Sequence, residues 1–291
     1  MREKCMFVLA GSNSVLANHI LPVLRDRYQV CAFDQETGDI EDETFLGKLF
    51  DETSPEVFIN CVQLGNIEEC EYKRDVAYRI NGFAPGKIAR LCKEKNALYV
   101  HFSTSHIFDG KKKSPYSETD EPNPISVYGD SRLMGEKHIL ESGCRYLIIR
   151  LYAVYGKGKS FLHDKFTRMT IDGSLQVIKN RFISPTYALD VASALNTLID
   201  QKKEGVYHFA NSGKATSLDF IRAAIDYYHK YSGKDLNISI YETDYEEYIS
   251  PVERPLNNML SIDKLVLETG INVRDWKKAL DDFMKNNFFN L

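Results

Sequence analysis

Short continuous apolar runs alternate with helically spaced segments through the first half of the chain. The runs are Cys5–Ala10, Gln29–Phe33, Val57–Cys61, Leu98–Phe102 and Tyr146–Arg150, and each is followed by a polar turn. Between them, Val15–Arg25, Thr44–Asp51, Asp75–Glu94 and Val127–Glu141 repeat apolar residues at helical spacing. Strands that are apolar on both faces and alternate with helices predict a parallel sheet covered on both sides. Ligands of such sheets bind outside the carboxyl ends of the strands. The second half is less regular. Leu175–Ile178, Val206–Phe209 and Ile238–Tyr241 read as strands, and Tyr187–Asp200, Ser217–Tyr231, Ser261–Glu268 and Asp275–Phe283 as helices.

This pattern predicts an α/β fold, a Rossmann-type doubly wound parallel sheet with a smaller C-terminal substrate lobe. Residues 1–155 are expected to form the dinucleotide-binding domain and 156–291 the lobe, with a helix over 187–201 returning to the first domain. Lys and Arg number 37 against 41 Asp and Glu, a net charge of −4. That balance leaves no electrostatic footprint for nucleic acid or an anionic membrane. No stretch approaches a membrane span, and the first 30 residues do not read as a signal peptide. None of the six cysteines forms a C-x-x-C pair. A reduced, cytoplasmic protein is the expectation.

The first strand ends at Gly11-Ser12-Asn13-Ser14-Val15-Leu16-Ala17. A dinucleotide-binding turn of this kind would have glycines at the first, fourth and seventh positions. Only Gly11 remains, the one that permits the tight turn. Ser14 and Ala17 are small, so the turn is crowded and not blocked, and the helix start still offers N–H groups to an anion. An ordinary strand-turn-helix without ligand is the competing reading. Asp34 ends the second strand, where a carboxylate commonly takes ribose hydroxyls and disfavours a 2′-phosphate. Asp39 and Ile40 follow as weaker candidates for an adenine contact.

Tyr128 and Arg132 stand four residues apart, on one face of a predicted helix. A tyrosine can give a proton to a carbonyl, and a fixed cation beside it pulls its pKa toward neutrality. His106 carries two readings, a group that moves a proton or a loop histidine filling space. Lys111-Lys112-Lys113 is a short solvated charge run.

Taken together the motifs resemble the dTDP-4-dehydrorhamnose reductase family, extended short-chain dehydrogenases acting on sugar nucleotides. Asn60-Cys61-Val62 through Glu71 resembles N-A-A followed by V-D-x-A-E, and Ile80-Asn81 its following V-N. Ser103-Thr104 with Phe108 and Gly110 resembles S-T-D-Y-V-F-x-G. Tyr128-Gly129 through Gly135-Glu136 resembles Y-G-x-x-K-x-x-G-E. Arg150 with Val154-Tyr155-Gly156, Pro185-Thr186, and Arg254-Pro255-Leu256-Asn257 resemble R-T-S-W-V-Y-G, P-T and R-P-x-N. The order is kept almost from end to end.

The resemblance implies an NAD- or NADP-dependent reductase of a nucleotide-linked 4-keto sugar, and a homodimer. Thr104, Tyr128 and Arg132 would be catalytic, with Arg132 replacing the lysine that tunes the tyrosine and reaches the cofactor ribose. Gly11, Asn13, Ser14, Val15, Asp34, Asp39, Ile40, Val62, Gln63 and Leu64 would line the cofactor together with Tyr128 and Arg132. Thr104, Ser105, His106, Ala153, Arg181 and Arg254 would face the sugar. No metal is implied. The departures gather around the substrate: Ser105-His106 for Asp-Tyr, Leu151-Tyr152-Ala153 for Thr-Ser-Trp, and Arg181 and Ile183 for a glutamine and a glycine. Arginine is a planar fork that hardly ever gives up its proton, so turnover impaired by Arg132 is expected. The alternative is a catalytically inactive dinucleotide- or nucleotide-sugar-binding regulatory or scaffold protein of the same fold.

Overall fold

The computed structural model describes residues 6–236 and 238–287. Cys5, the start of the first expected strand, lies outside the described residues. In chain order the elements are β1 (Phe7–Ala10), α1 (Val15–Arg25), β2 (Val30–Phe33), α2 (Glu43–Thr53), β3 (Val57–Asn60), α3 (Ile67–Tyr72), α4 (Arg74–Ala77), α5 (Ala84–Glu94), β4 (Leu98–Thr104), α6 (Val127–Ser142), β5 (Arg145–Leu151), β6 (Val154–Tyr155) and α7 (Phe161–Asp172). There follow β7 (Ser174–Ile178), β8 (Phe182–Ile183), β9 (Thr186–Tyr187), α8 (Ala188–Asp200), β10 (Gly205–His208), β11 (Ala215–Thr216), α9 (Ser217–Ser232), β12 (Ser239–Thr243), α10 (Asp263–Thr269) and α11 (Trp276–Asn287).

Six parallel strands form the central sheet in the order β10-β5-β4-β3-β1-β2. Alternate residues of each strand feed two separate apolar layers, as the period of two requires. Leu9, Ile59, Val100 and Ile149 pack with α1 and α8 on one face. Val8, Phe58, Tyr99 and Ile148 pack with α2, α5 and α6 on the other. Helix α8 lies on α1 within the first layer, and β10 extends the sheet beside β5. The chain therefore crosses back past the expected boundary at 155 with a strand as well as a helix. The lobe has its own apolar cluster, built from α7, β7, α9 and α11.

One long helix was expected over Asp75–Glu94. Instead a π-helical turn over Tyr78–Phe83 separates α4 from α5. Pro85 has no N–H to give the Asn81 carbonyl, so the regular ladder cannot run through. The side chain of Asn81, fully buried, is used elsewhere. It accepts from the Leu64 amide at 2.9 Å and donates to the Leu64 carbonyl at 3.1 Å and to Ser131 at 3.1 Å. The loop after β3 is thereby pinned to α6.

Ser126 caps α6 by accepting from the Gly129 amide at 3.2 Å, and Gly143 ends it in the left-handed region. A Cβ on Gly129 would lie 2.2 Å from the His106 carbonyl oxygen, and one on Gly135 2.3 Å from that of Asn81. Both glycines are thus requirements of close approach. Between them and the sheet, Glu136 and Arg150 form a buried bidentate pair, Nη2 to Oε2 at 2.7 Å and Nε to Oε1 at 3.1 Å.

Removing one partner of such a pair strands a charge in the interior. We expect Glu136→Gln to lower stability by about 3–5 kcal/mol in urea unfolding. The double variant Glu136→Leu/Arg150→Met should lose much less. Equal losses for the two would show that the strand-helix packing alone, and not the pair, sets the cost.

Candidate active site

A cleft of about 880 Å³ opens at the carboxyl ends of β1, β3, β4 and β5, between the sheet and the lobe. Its sheet side is lined by Gly11, Asn13, Ser14, Val15, Val62, Gln63, Thr104, His106, Tyr128 and Arg132. Its lobe side includes Tyr152, Ala153, Lys165, Arg181, Tyr248 and Arg254.

Gly11 has φ +80°, and a Cβ there would lie 3.0–3.1 Å from the Cys61–Val62 backbone. Its amide and that of Ser12 donate to the Phe33 carbonyl at 2.8 and 3.0 Å, which sets the turn against β2. Ser14 caps α1 by accepting from the Ala17 amide at 3.2 Å. Ala17 is fully buried in the layer against the sheet, so a methyl fits where close helix packing needs a small residue. The remaining first-turn amides are free to meet an anion. Asp34 stands beside this turn. Its carboxylate accepts from Ser12 at 3.4 Å and from Thr37 at 3.0 Å, and these bonds, Thr37 foremost, hold its carboxyl below the usual range.

Tyr128 is buried and donates to the Gln63 side chain at 3.2 Å. Burial raises its pKa, while the Arg132 charge and the Thr104 hydroxyl pull the other way. Burial wins, so the expected fall toward neutrality does not occur in the unliganded protein. Arg132 is 2% exposed. Its Nη2 donates to the Phe102 carbonyl of β4, and its Nε and Nη1 are buried with no partner among the described residues. The Glu136 carboxylate, one turn along, belongs to Arg150 and not to Arg132. An orphaned guanidinium beside a glycine-edged cradle fits a dinucleotide whose ribose hydroxyls would satisfy it.

His106 packs edge-on against Tyr128, ring centroids 5.5 Å apart, and at a shallow tilt of 31° against Tyr152, also at 5.5 Å. Burial, and then the charges of Arg181 and Arg254, push its pKa down to about 3. It is neutral at physiological pH, which favours the space-filling reading over the proton carrier. Ser105 donates to Asn258 at 3.2 Å, out of the cleft wall.

Ala153 adopts φ +46° and carries no ring. The aromatic surface comes one residue earlier, from Tyr152, whose hydroxyl accepts from Arg181 Nη2 at 2.5 Å. Arg254 bonds Glu68, Ser250 and Val252. Lys165, on α7, completes the group. Burial first, and then the neighbouring Arg168, Arg181 and Arg254, bring its pKa down to about 8. Three positive groups, Lys165, Arg181 and Arg254, therefore share one stretch of wall, with the exposed Arg168 close behind.

The structure brings the three residues expected to be catalytic, Thr104, Tyr128 and Arg132, into one cleft with most of those expected to line the cofactor. It leaves Asp39 and Ile40 aside: Asp39 is exposed and caps its own turn, and Ile40 packs with Phe33 and Leu46 in the core. Leu64 is held by Asn81 and packs below Tyr128. Gln35, and not Asp34, reaches the cleft edge. From sequence Tyr152 was named only within the Leu151-Tyr152-Ala153 departure, and Lys165 was not named. The signal for its helix α7 was present, with Ser160 as an N-cap, apolar Leu162, Phe166 and Met169 at helical spacing, and Gly173 as the stop, but nothing local marked the lysine.

Comparison with known proteins follows this geometry. A family model described as RmlD substrate binding domain matches residues 5–288. The spore coat polysaccharide biosynthesis protein SpsK of Bacillus subtilis is 32% identical over 89% of each chain. The dTDP-4-dehydrorhamnose reductase structure from Clostridium acetobutylicum superposes with a TM-score of 0.89 at 29% identity, covering 96% of this chain and 98% of its own. That from Bacillus anthracis, solved in complex with NADP, has the same TM-score at 25% identity, covering 98% and 100%. On the family match, the likeness over nearly the whole length and the shared fold, this chain belongs to the dTDP-4-dehydrorhamnose reductase family, of which it is a divergent member.

Proposed function

We propose that this protein is an NAD(P)-dependent reductase of a nucleotide-linked 4-keto sugar. The observation that carries the reading is Tyr128, buried beside Thr104 and Arg132 in a cleft that begins at the Gly11 turn. Gly11, Asn13, Ser14 and Val15 would hold the pyrophosphate, with Val62 and Gln63 beside the nicotinamide; the adenosine ribose would extend past the cleft edge at Gln35 toward Asp34, which stands on the turn at Ser12. The bound cofactor supplies hydride to the keto carbon.

The chain's own residues do the rest. Thr104 gives a hydrogen bond to the carbonyl oxygen and holds it toward Tyr128. Tyr128 gives its proton to that oxygen as negative charge develops there. Arg132 offsets the phenolate left behind, in a site where water is excluded and charge interactions are strong. Lys165, Arg181 and Arg254 face the diphosphate of the nucleotide sugar. Relatives named as reductases support turnover over the regulatory or scaffold reading. A cytoplasmic location accords with five free cysteines and with no helix long and apolar enough to cross a membrane, both among the described residues.

Tyr128→Phe keeps the ring and removes the proton. We expect it to cut cofactor oxidation with a dTDP-4-keto-6-deoxy sugar by about 10²–10⁴-fold while NADH and NADPH still bind. A variant that keeps wild-type turnover would transfer the proton role to another group.

Lys165 is positive below pH about 8 and neutral above it. Its attraction for a diphosphate is therefore present at pH 7 and lost as pH rises through that value. The KM for the nucleotide sugar should climb between pH 7 and 9, and Lys165→Met should have a high KM that no longer changes over this range. A wild-type KM that stays flat there would separate Lys165 from the substrate.

A further inference from the structure

Arg254 and Glu68 lie 186 residues apart, yet form an ion pair across the cleft. Glu68 comes from α3, on the sheet side. Arg254 comes from the lobe, on a segment fixed by Asn257, which donates to the Lys112 and Ser114 carbonyls at 2.7 and 2.9 Å. The Arg254 side chain is 14% exposed and that of Glu68 41%.

The surroundings make this pair unusual. The charges of Arg168, Arg181 and Arg254 all bear on Lys165, and the Glu68 carboxylate opposes them there. Among the described residues neither Lys165 nor Arg181 has a carboxylate partner within 4.0 Å, and Arg181 Nε is buried without any acceptor. Lys165, Arg181 and Arg254 line the cleft together with the exposed Asp164, and among the described carboxylates Glu68 is the one that pairs with any of these three cations. A second anion entering the cleft meets Arg254 already engaged.

We propose that Glu68 is an internal stand-in for the substrate's diphosphate: it pairs with Arg254 in the unliganded protein and yields that cation to phosphate when the nucleotide sugar binds. Glu68 is then a residue that sets affinity by competition. It is a positioning residue in one sense only, since it keeps a buried arginine satisfied until the ligand arrives. The inference rests on the nucleotide-sugar reading given above. Its sign distinguishes it from an ordinary supporting contact. A strut that holds Arg254 in place for phosphate would strengthen binding, whereas a competitor weakens it.

Titration calorimetry of the full chain with dTDP, and with thymidine as a phosphate-free control, separates the two. Wild type, Glu68→Gln, Glu68→Ala and Arg254→Gln are compared, with thermal melting as the check on folding. Competition predicts that both Glu68 variants bind dTDP about three- to tenfold more tightly than wild type. Arg254→Gln should bind it more weakly, and thymidine should be indifferent to all three changes. If the Glu68 variants bind dTDP equally or more weakly while Arg254→Gln is impaired, Glu68 is a strut and the proposal fails alone. If Arg254→Gln binds dTDP as wild type does, the diphosphate reading of this wall fails, and the proposal with it. Should one Glu68 variant not fold, the other decides.

Discussion

Helix α6 lies closer to the turn after β4 and to the π-helical turn at Asn81 than side chains at every position would allow, and the site depends on that approach. Gly129 admits the His106 carbonyl and Gly135 the Asn81 carbonyl. Between them, Arg132 reaches the Phe102 carbonyl and Glu136 reaches Arg150. One helix thus makes two buried polar contacts, one to β4 and one to β5. Its first turn then has only one place to put Tyr128, at the cleft floor beside Thr104. Interiors are packed too densely for such an arrangement to shift by small degrees. An added methyl at either glycine would push the tyrosine out of reach of its partners.

The same closeness explains the electrostatic character of the site. Burial makes Tyr128 a weaker acid, and only Arg132 and Thr104 oppose it. Arg132 has no carboxylate to neutralise it, because Glu136 is committed to Arg150. A buried guanidinium with two unpartnered nitrogens is costly to the empty protein. A ligand that supplies acceptors would offset that cost. The cationic wall of Lys165, Arg181 and Arg254 repeats this logic on the lobe side, with Glu68 as its partial relief.

Much of this was legible in the sequence, for reasons that differ by element. The five apolar runs became central strands because a strand buried on both faces has no polar positions to disguise it. Tyr128, Thr104 and the Gly11 turn were readable because each sits just past a strand end. Ile40 was misplaced because an apolar residue after a strand looks the same whether it meets a ligand or the core. Lys165 escaped because its role comes from a long-range encounter between α7 and the Arg254 loop, which no local pattern records. The break before α5 was signalled by Pro85, yet its purpose, freeing Asn81 to hold the Leu64 loop, appears only in three dimensions. Arg132 was visible as a departure, but its partner was not, since the Phe102 carbonyl lies 30 residues away on β4.

The central claim is that Arg132 does the lysine's work at a disadvantage, anchored to Phe102 and unable to adapt as a flexible ammonium does. Steady-state cofactor oxidation by wild type and Arg132→Lys, with dTDP-, UDP- and GDP-4-keto sugars, tests it most directly. The account predicts slow turnover for wild type near neutral pH and a higher kcat for Arg132→Lys. A wild type that is fully active at neutral pH, with Arg132→Lys slower, would contradict it.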